Sequence, residues 1–393
     1  MPISNAIKEL LGSQSLIRKM FEEGALLKKQ YGADKVFDFS IGNPDVEPPL
    51  AFQQVFLKLA QEKKTGAHGY MNNAGFPEVR EALAKKASSE QEITLDGSHV
   101  IMSCGAAGGL NVVFKAILNP GDEVIVSRPY FMEYRPYISN HGGQIVEVDA
   151  LEDFNLDVEG IKAKLSPKTA AVLINSPHNP TGRIYPAETI TRLAKVLNEH
   201  GPRKPYLVAD EPYRELAYDG IKVPPILSSY SESIIVNSYS KSLSLPGERI
   251  GYIAVSPNVE DKENLLGALT YATRVLGFVN APALMQRIVG ELTTVKTDLS
   301  IYAGRRAAFM KILDEAGIEY TKPEGAFYLF CKAPGGDDRT FIDLLKKYLI
   351  LGVPGTGFAK PGWMRFAYCV DEKVIKASGE AFKKAMASVT AEG

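Results

Sequence analysis

Four short motifs carry side chains whose types suit one another chemically. The stretch 234–255 reads IIVNSYSKSLSLPGERIGYIAV and sets Lys241 among Ser238, Ser240 and Ser242, with Arg249 shortly after. An ammonium at the end of a buried strand loses hydration, and beside another cation its pKa falls toward the neutral amine that attacks carbonyls. That chemistry is Schiff-base formation, although on this stretch alone a solvated lysine opening a surface loop is the better reading. CGAAGGLN at 104–111 offers Gly105, Ala106 and Ala107, small residues that let backbone N–H groups approach an anion, and equally ordinary helix-packing residues. SPHNPTG at 176–182 holds Asn179 in a stiff turn with its amide available, as a plain Asn-Pro turn also would. ADEPYREL at 209–216 places Asp210 at the end of an apolar run with Tyr213 just beyond, and a carboxylate ending a buried strand needs a cation or a hydrogen-bond donor.

A sheet is the element that brings such motifs together. Between about residues 100 and 255 the runs HVIMS, DEVIVS, QIVEVD, TAAVLIN, YLVAD, SIIVNS and RIGYIAVS alternate with helical patterns such as LNVVFKAIL and AETITRLAKVLNEH. Continuous Val/Ile-rich runs separated by helices predict an α/β fold with a mostly parallel sheet covered on both faces. Ligands of such sheets sit beyond the carboxyl ends of the strands, which is where all the motifs fall. An anion cradle, an amide, a carboxylate with a tyrosine, and a lysine with an arginine are together what pyridoxal 5′-phosphate requires. Their coincidence outweighs the ordinary reading of each.

Around this sheet, FPEVREALAKKASSE reads as a helix, and a long helical stretch from DKENLLGALTYATRV to AGRRAAFMKILDEAG is expected to lead away from it. The last hundred or so residues change character: GAFYLFCKA and WMRFAYCV alternate with the helices FIDLLKKYLI and KVIKASGEAFKKAMASV, which suits a smaller α+β lobe joined by VFDFSIGNPD. The expected division is a large domain over 50–285 and a small domain made of 1–49 and 286–393. MPISNAIKELLGSQSLIRKM reads as a modest amphipathic helix rather than a secretory signal.

The composition fits a cytoplasmic globular protein, with 45% apolar and 23% charged residues in 393. A formal net charge of −1 gives no field to attract nucleic acid or an anionic membrane, so any anion site must be local. Cys104, Cys331 and Cys369 are widely spaced and unpaired in motif, which argues for reduced thiols and against a structural zinc site. The five histidines form no ligand pair, and no metal is expected.

NPTG, DEPY and SYSKSLSLPGERIG, in this order, make the chain resemble the class I/II aminotransferases of pyridoxal-phosphate fold type I, aspartate aminotransferase-like, over nearly its whole length. The resemblance implies a seven-stranded, mostly parallel sheet in an α/β/α sandwich plus a smaller α+β domain. It implies an aldimine at Lys241, Asp210 on the pyridine nitrogen, and Tyr213 and Asn179 on the phenolic oxygen. Phosphate would be held by Ser238, Ser240, Arg249 and the Gly105–Ala106–Ala107 backbone, with Phe131, or Tyr130 instead, stacked on the ring. Tyr70 in HGYMNNAGFPEVREAL would reach the phosphate of a second subunit, which requires a homodimer with shared sites. Arg365 in GWMRFAYC would grip the substrate α-carboxylate, with Gly42 of SIGNPD lying against it.

Two positions depart from the family pattern or align loosely with it. Some bacterial aspartate aminotransferases carry a lysine for the distal carboxylate at the position of Ala107, and this chain has no cation there. Arg274 lies near where other members bring an arginine across the dimer interface. The resemblance implies a ping-pong exchange of an amino group between an L-amino acid and a 2-oxo acid; a cysteine-S-conjugate β-lyase on the same fold is the alternative. A non-catalytic pyridoxal-phosphate-binding regulatory module is a more distant one, and its basic helix-turn-helix has no counterpart in the sequence.

Overall fold

The computed structural model describes residues 3, 4, 7, 8, 16–201 and 203–392. Residues 1, 2, 5, 6 and 9–15 of the expected N-terminal amphipathic helix therefore lie outside the described residues, whereas α1 spans Leu16–Tyr31. The strands in chain order are β1 (Phe37–Asp38), β2 (Val100–Ser103), β3 (Glu123–Arg128), β4 (Gln144–Asp149), β5 (Thr169–Asn175), β6 (Tyr206–Asp210), β7 (Ser233–Ser238) and β8 (Gly251–Val255). The C-terminal part adds β9 (Tyr320–Thr321), β10 (Tyr328–Lys332), β11 (Ile350–Leu351), β12 (Val353–Pro354) and β13 (Trp363–Ala367).

β2 to β8 form one seven-stranded sheet in the order β2-β8-β7-β6-β5-β3-β4. β8 alone runs antiparallel to its neighbours, and every other pairing is parallel. The strands are buried on both faces because successive side chains alternate: on β7, Ile235 enters one apolar cluster, while Ile234 and Val236 enter the cluster on the opposite face. The fold is thus the expected α/β/α arrangement.

Register decides what the carboxyl ends share. Asn175 pairs with Asp210, Asp210 with Val236, and both Ser238 and Ser103 with Gly251. The four sequence motifs consequently emerge side by side along one rim of the sheet.

The helices used below are α2 (Pro77–Gln91), α3 (Gly105–Ile117), α4 (Tyr134–Ser139), α5 (Ala187–Asn198), α6 (Tyr239–Ser242), α7 (Lys262–Val275), α8 (Ala283–Glu291), α9 (Leu299–Ala316), α10 (Asp338–Lys347) and α11 (Gly379–Glu392). The long helical stretch expected over 261–317 is instead the three helices α7, α8 and α9. Pro282, which cannot continue a helix, stands before α8. α7 remains against the sheet through Leu265, Leu269 and Ala272. Residue 285, the expected end of the large domain, lies within α8, whose Met285, Ile288 and Val289 pack in the sheet's core.

The second core gathers Phe39, Phe309, Phe366 and Phe382 from the N-terminal segment, α9, β13 and α11. Its sheet is the antiparallel order β12-β13-β10-β9, and β1 pairs in parallel with β11, tying the N-terminal segment to the C-terminal part. No helix among the described residues is long and apolar enough to cross a membrane.

Candidate active site

Beyond the sheet rim lies a cavity of about 290 Å³. Gly42, Ala106, Ala107, Phe131, Asn179, Asp210, Tyr213, Ser238, Ser240, Lys241, Arg249 and Arg365 all line it, so residues from distant parts of the chain, Gly42 and Arg365 among them, converge. Tyr70 does not reach it and is 92% exposed. Arg274, exposed at the end of α7, lines a separate surface cleft with Asn72, Asn73 and Tyr271.

Lys241 sits on α6, the single turn that follows β7, so the strand's buried end carries its amine into the cavity. Its Nζ donates to the Gly42 carbonyl at 2.6 Å and lies 5.5 Å from the centre of the Phe327 ring. Burial, with the Arg365 and Arg249 cations adding to it, pushes its pKa down to about 8.

Asp210 ends β6 fully enclosed. Its Oδ2 accepts from the Tyr134 hydroxyl at 2.6 Å and its carbonyl from Asn175 Nδ2 at 2.7 Å, but Oδ1 is buried without a hydrogen-bond partner. Burial pushes this carboxyl up to about 7, against the Tyr134 bond. The adjacent Glu211 alternates to the other face and is satisfied there, by Arg214 at 2.9 Å and by Gln91 at 2.9 Å. Of two consecutive buried acids, only the one facing the cavity keeps an unpaired oxygen.

Asn179 is fixed by its N–H to Asn175 Oδ1 at 2.8 Å, and its Oδ1 accepts from Arg365 at 3.0 Å. Arg365 also donates to the Ser40 carbonyl at 2.7 Å, and its guanidinium lies between the rings of Tyr328 and Phe358, 4.4 Å and 4.7 Å from their centres. Among the described residues no carboxylate pairs with this buried cation, and its Nε has no partner.

The anion cradle forms at the start of α3, which begins at Gly105 rather than further along, so that Gly105, Ala106 and Ala107 make up the helix's first turn with its free N–H groups. Gly105 has φ +69°, and a Cβ there would stand 2.7 Å from Arg249 Nη2. Arg249 is aimed by its bond to the Pro246 carbonyl at 2.8 Å. Phe131 faces the cavity; Tyr130 is buried behind it with its hydroxyl on Glu147 at 2.6 Å.

A group carrying an anion at one end and a protonated ring nitrogen at the other fits these residues: the cradle takes the first and the orphaned Asp210 oxygen the second. The sequence reading missed Tyr134, Asn175 and Tyr328. Tyr134 and Asn175 had a signal, standing just after one strand and at the end of another; Tyr328 had none beyond its place in an aromatic strand. His178, prominent in the sequence beside Asn179, is buried on Thr181 at 2.8 Å and held neutral, with its pKa pushed down to about 3 by burial.

Residues 34–381 match the family described as aminotransferase class I and II. The chain is 32% identical over 378 residues to a probable aspartate/prephenate aminotransferase of Aquifex aeolicus, covering 90% of this chain and 92% of that relative. An amino transferase from Eubacterium rectale superposes with a TM-score of 0.95 at 37% identity, covering 99% of each chain. The aspartate aminotransferase of Thermus thermophilus with maleate superposes at 0.88 with 29% identity, over 98% of this chain and 100% of that one. The extent of these matches, over nearly the whole chain and the same fold, shows that the chain belongs to the class I and II aminotransferases, and it is therefore a pyridoxal-phosphate-dependent enzyme that moves an amino group between an amino acid and a 2-oxo acid.

Proposed function

We propose that Lys241, Asp210 and Arg365 are the working groups of this transaminase. The observation that carries the reading is the pairing of defects in one cavity: Arg365 is a buried cation without an anion among the described residues, Asp210 a buried acid with an unpaired oxygen, and Lys241 an amine whose pKa is lowered to about 8. Buried charges left this way are costly unless a ligand completes them. Bound pyridoxal 5′-phosphate supplies the electron sink for bond breaking at the amino acid's α-carbon.

Lys241 Nζ, its pKa lowered to about 8 by burial, would take the proton from the substrate α-carbon and pass it to the cofactor's carbon within the same half of the exchange, and would carry it in the reverse direction in the other half. Asp210 Oδ1, buried without a partner, would accept a hydrogen bond from the cofactor's protonated ring nitrogen and hold its charge. The Tyr213 hydroxyl and the Asn179 amide would bond the phenolic oxygen. Ser238, Ser240, Arg249 and the first turn of α3 would hold the phosphate, and Phe131 would lie against the ring. Arg365 fixes the α-carboxylate in the plane set by its two aromatic neighbours.

Tyr70 belongs, in this reading, to the site of a second copy in a cytoplasmic homodimer. Support comes from its neighbours in the chain: Asn72 and Asn73, just after Tyr70, line a surface cleft with Arg274 and with Tyr271, which is 65% exposed. The domain reading is a large lobe around the sheet and a small lobe built from the N-terminal segment and the residues after α8.

The amino donor is sought by mixing the cofactor-loaded protein with single amino acids and following conversion of the cofactor to its amine form by absorbance. Aspartate is the donor that relatives' names support, whereas Ala107 brings no cation to the distal end of the cavity. Wild type is expected to convert with at least one donor, and Lys241→Ala to lose more than the ~10²–10⁴-fold typical of general acid–base removal. Conversion by Lys241→Ala at the native rate defeats the reading.

A further inference from the structure

Tyr328 lies in none of the sequence motifs, yet two cavity groups rest on it. It is buried on β10 and lines the cavity. Its hydroxyl is 2.8 Å from that of Tyr213, and the centre of its ring is 4.4 Å from the Arg365 guanidinium carbon. The register explains the second contact. Tyr328 stands opposite Ala367 and Phe330 opposite Arg365, so Tyr328 and Arg365 are diagonal neighbours on one face of the β10–β13 pair. Space explains the first, since a Cβ on Gly42 would come within 2.0 Å of the Tyr328 hydroxyl. Only glycine leaves room for the hydroxyl to reach Tyr213.

Both phenols are pushed up by burial and keep their protons at neutral pH. The charged and titratable groups around Tyr328 are Arg365 on β13, Cys369 beyond it, and Tyr213 after β6. Each phenol has one proton to give. If Tyr213 spends its proton on the phenolic oxygen of the cofactor, the proton between the two hydroxyls belongs to Tyr328. That donation withdraws charge from Tyr213 and strengthens the bond Tyr213 makes.

We propose that Tyr328 is a positioning residue with two separable duties: its hydroxyl sets the strength of the Tyr213 bond to the cofactor, and its ring face holds Arg365 in the plane that receives the substrate carboxylate. The inference rests on the reading of Tyr213 and Arg365 given above. It predicts that the two duties come apart on substitution, because phenylalanine keeps the ring face and loses only the hydroxyl.

The test uses the full-length, cofactor-loaded enzyme with two measurements: the pH titration of the bound cofactor's absorbance, and the affinity for propionate as a non-reacting carboxylate probe. Tyr328→Phe should shift the titration in the same direction as Tyr213→Phe but less, should add nothing in the Tyr213→Phe background, and should bind propionate within about twofold of wild type. Tyr328→Met, unbranched and able to fill the space, should show the same titration shift and lose about tenfold in propionate affinity with the stacking. Tyr328→Phe decides the matter even if the methionine variant does not fold. In Tyr328→Phe, a native titration overturns the duty of the hydroxyl and a tenfold loss of propionate overturns the separation of the two duties; in Tyr328→Met, propionate bound within about twofold of wild type overturns the duty of the ring. If Tyr213→Phe itself leaves the titration unchanged, or Arg365→Lys leaves propionate binding unchanged, the underlying reading of the site has failed instead.

Discussion

At the scale of single residues, the site is defined by side chains whose charge the protein does not complete. Asp210 shows this most clearly. Its folded pKa, raised to about 7 by burial, exceeds the ordinary carboxylate value, so the unfolded chain releases the proton first. The cost of charging it is absent at low pH, grows as pH rises toward 7, and is fully present above it. Asp210→Asn removes that cost while keeping the shape. Without cofactor, the variant is expected to melt no lower than wild type at pH 8, and its advantage should vanish toward pH 4. With cofactor, it should lose at least ~10²-fold in transamination, since a protonated ring nitrogen then has no counter-charge. A variant less stable than wild type at pH 8 would mean that the carboxylate is completed within the fold. Lys241 has the opposite sign. Its pKa is lowered to about 8, so it costs stability below 8 and less as pH rises above it. Cofactor uptake, which needs the neutral amine, is therefore expected to accelerate with a midpoint near pH 8; a rate that is flat from pH 6 to 9, followed by absorbance, would contradict this.

At the scale of elements, strands aim the chemistry and a helix start collects the anion. Lys241 and Asp210 need the parallel register of β6 and β7 to sit on neighbouring rim positions, and the cradle needs α3 to begin immediately after β2. Gly105 is where these demands meet, having both a left-handed backbone at φ +69° and Arg249 in the space a Cβ would take. Gly105→Ala should cost about 1 kcal/mol in backbone strain alone and should turn Arg249 out of the cradle. Affinity for pyridoxal 5′-phosphate is expected to drop about tenfold or more, in keeping with loss of a charge-assisted contact, while pyridoxal without its phosphate binds as before. Equal losses for both compounds would place the damage elsewhere than at the phosphate.

At the scale of the whole molecule, the 92% exposure of Tyr70 leaves a side chain of the motif set unused within its own chain. If it serves a second copy, Lys241→Ala chains mixed with Tyr70→Asp chains should regain activity, because one site of each heterodimer then has both residues intact. Tagged chains must first show that subunits exchange. Exchange with activity no higher than the separate variants would assign Tyr70 to its own chain or to no site. The sequence by itself determined the strands, since unbroken Val/Ile runs such as TAAVLIN and SIIVNS are the signature of strands buried on both faces, and it determined Lys241, Asp210 and Asn179 as candidates, since polar residues closing or just following such runs lie at the ligand end of the sheet. It could not show that α8 packs back on the sheet core, because an amphipathic helix carries no record of which core its apolar face meets. Tyr328 was equally hidden: an aromatic in an aromatic strand is ordinary core until cross-strand register places its ring on Arg365 and its hydroxyl on Tyr213. Local pattern determines what each segment becomes, whereas contacts between segments hundreds of residues apart follow from packing and register, which only the tertiary structure decides.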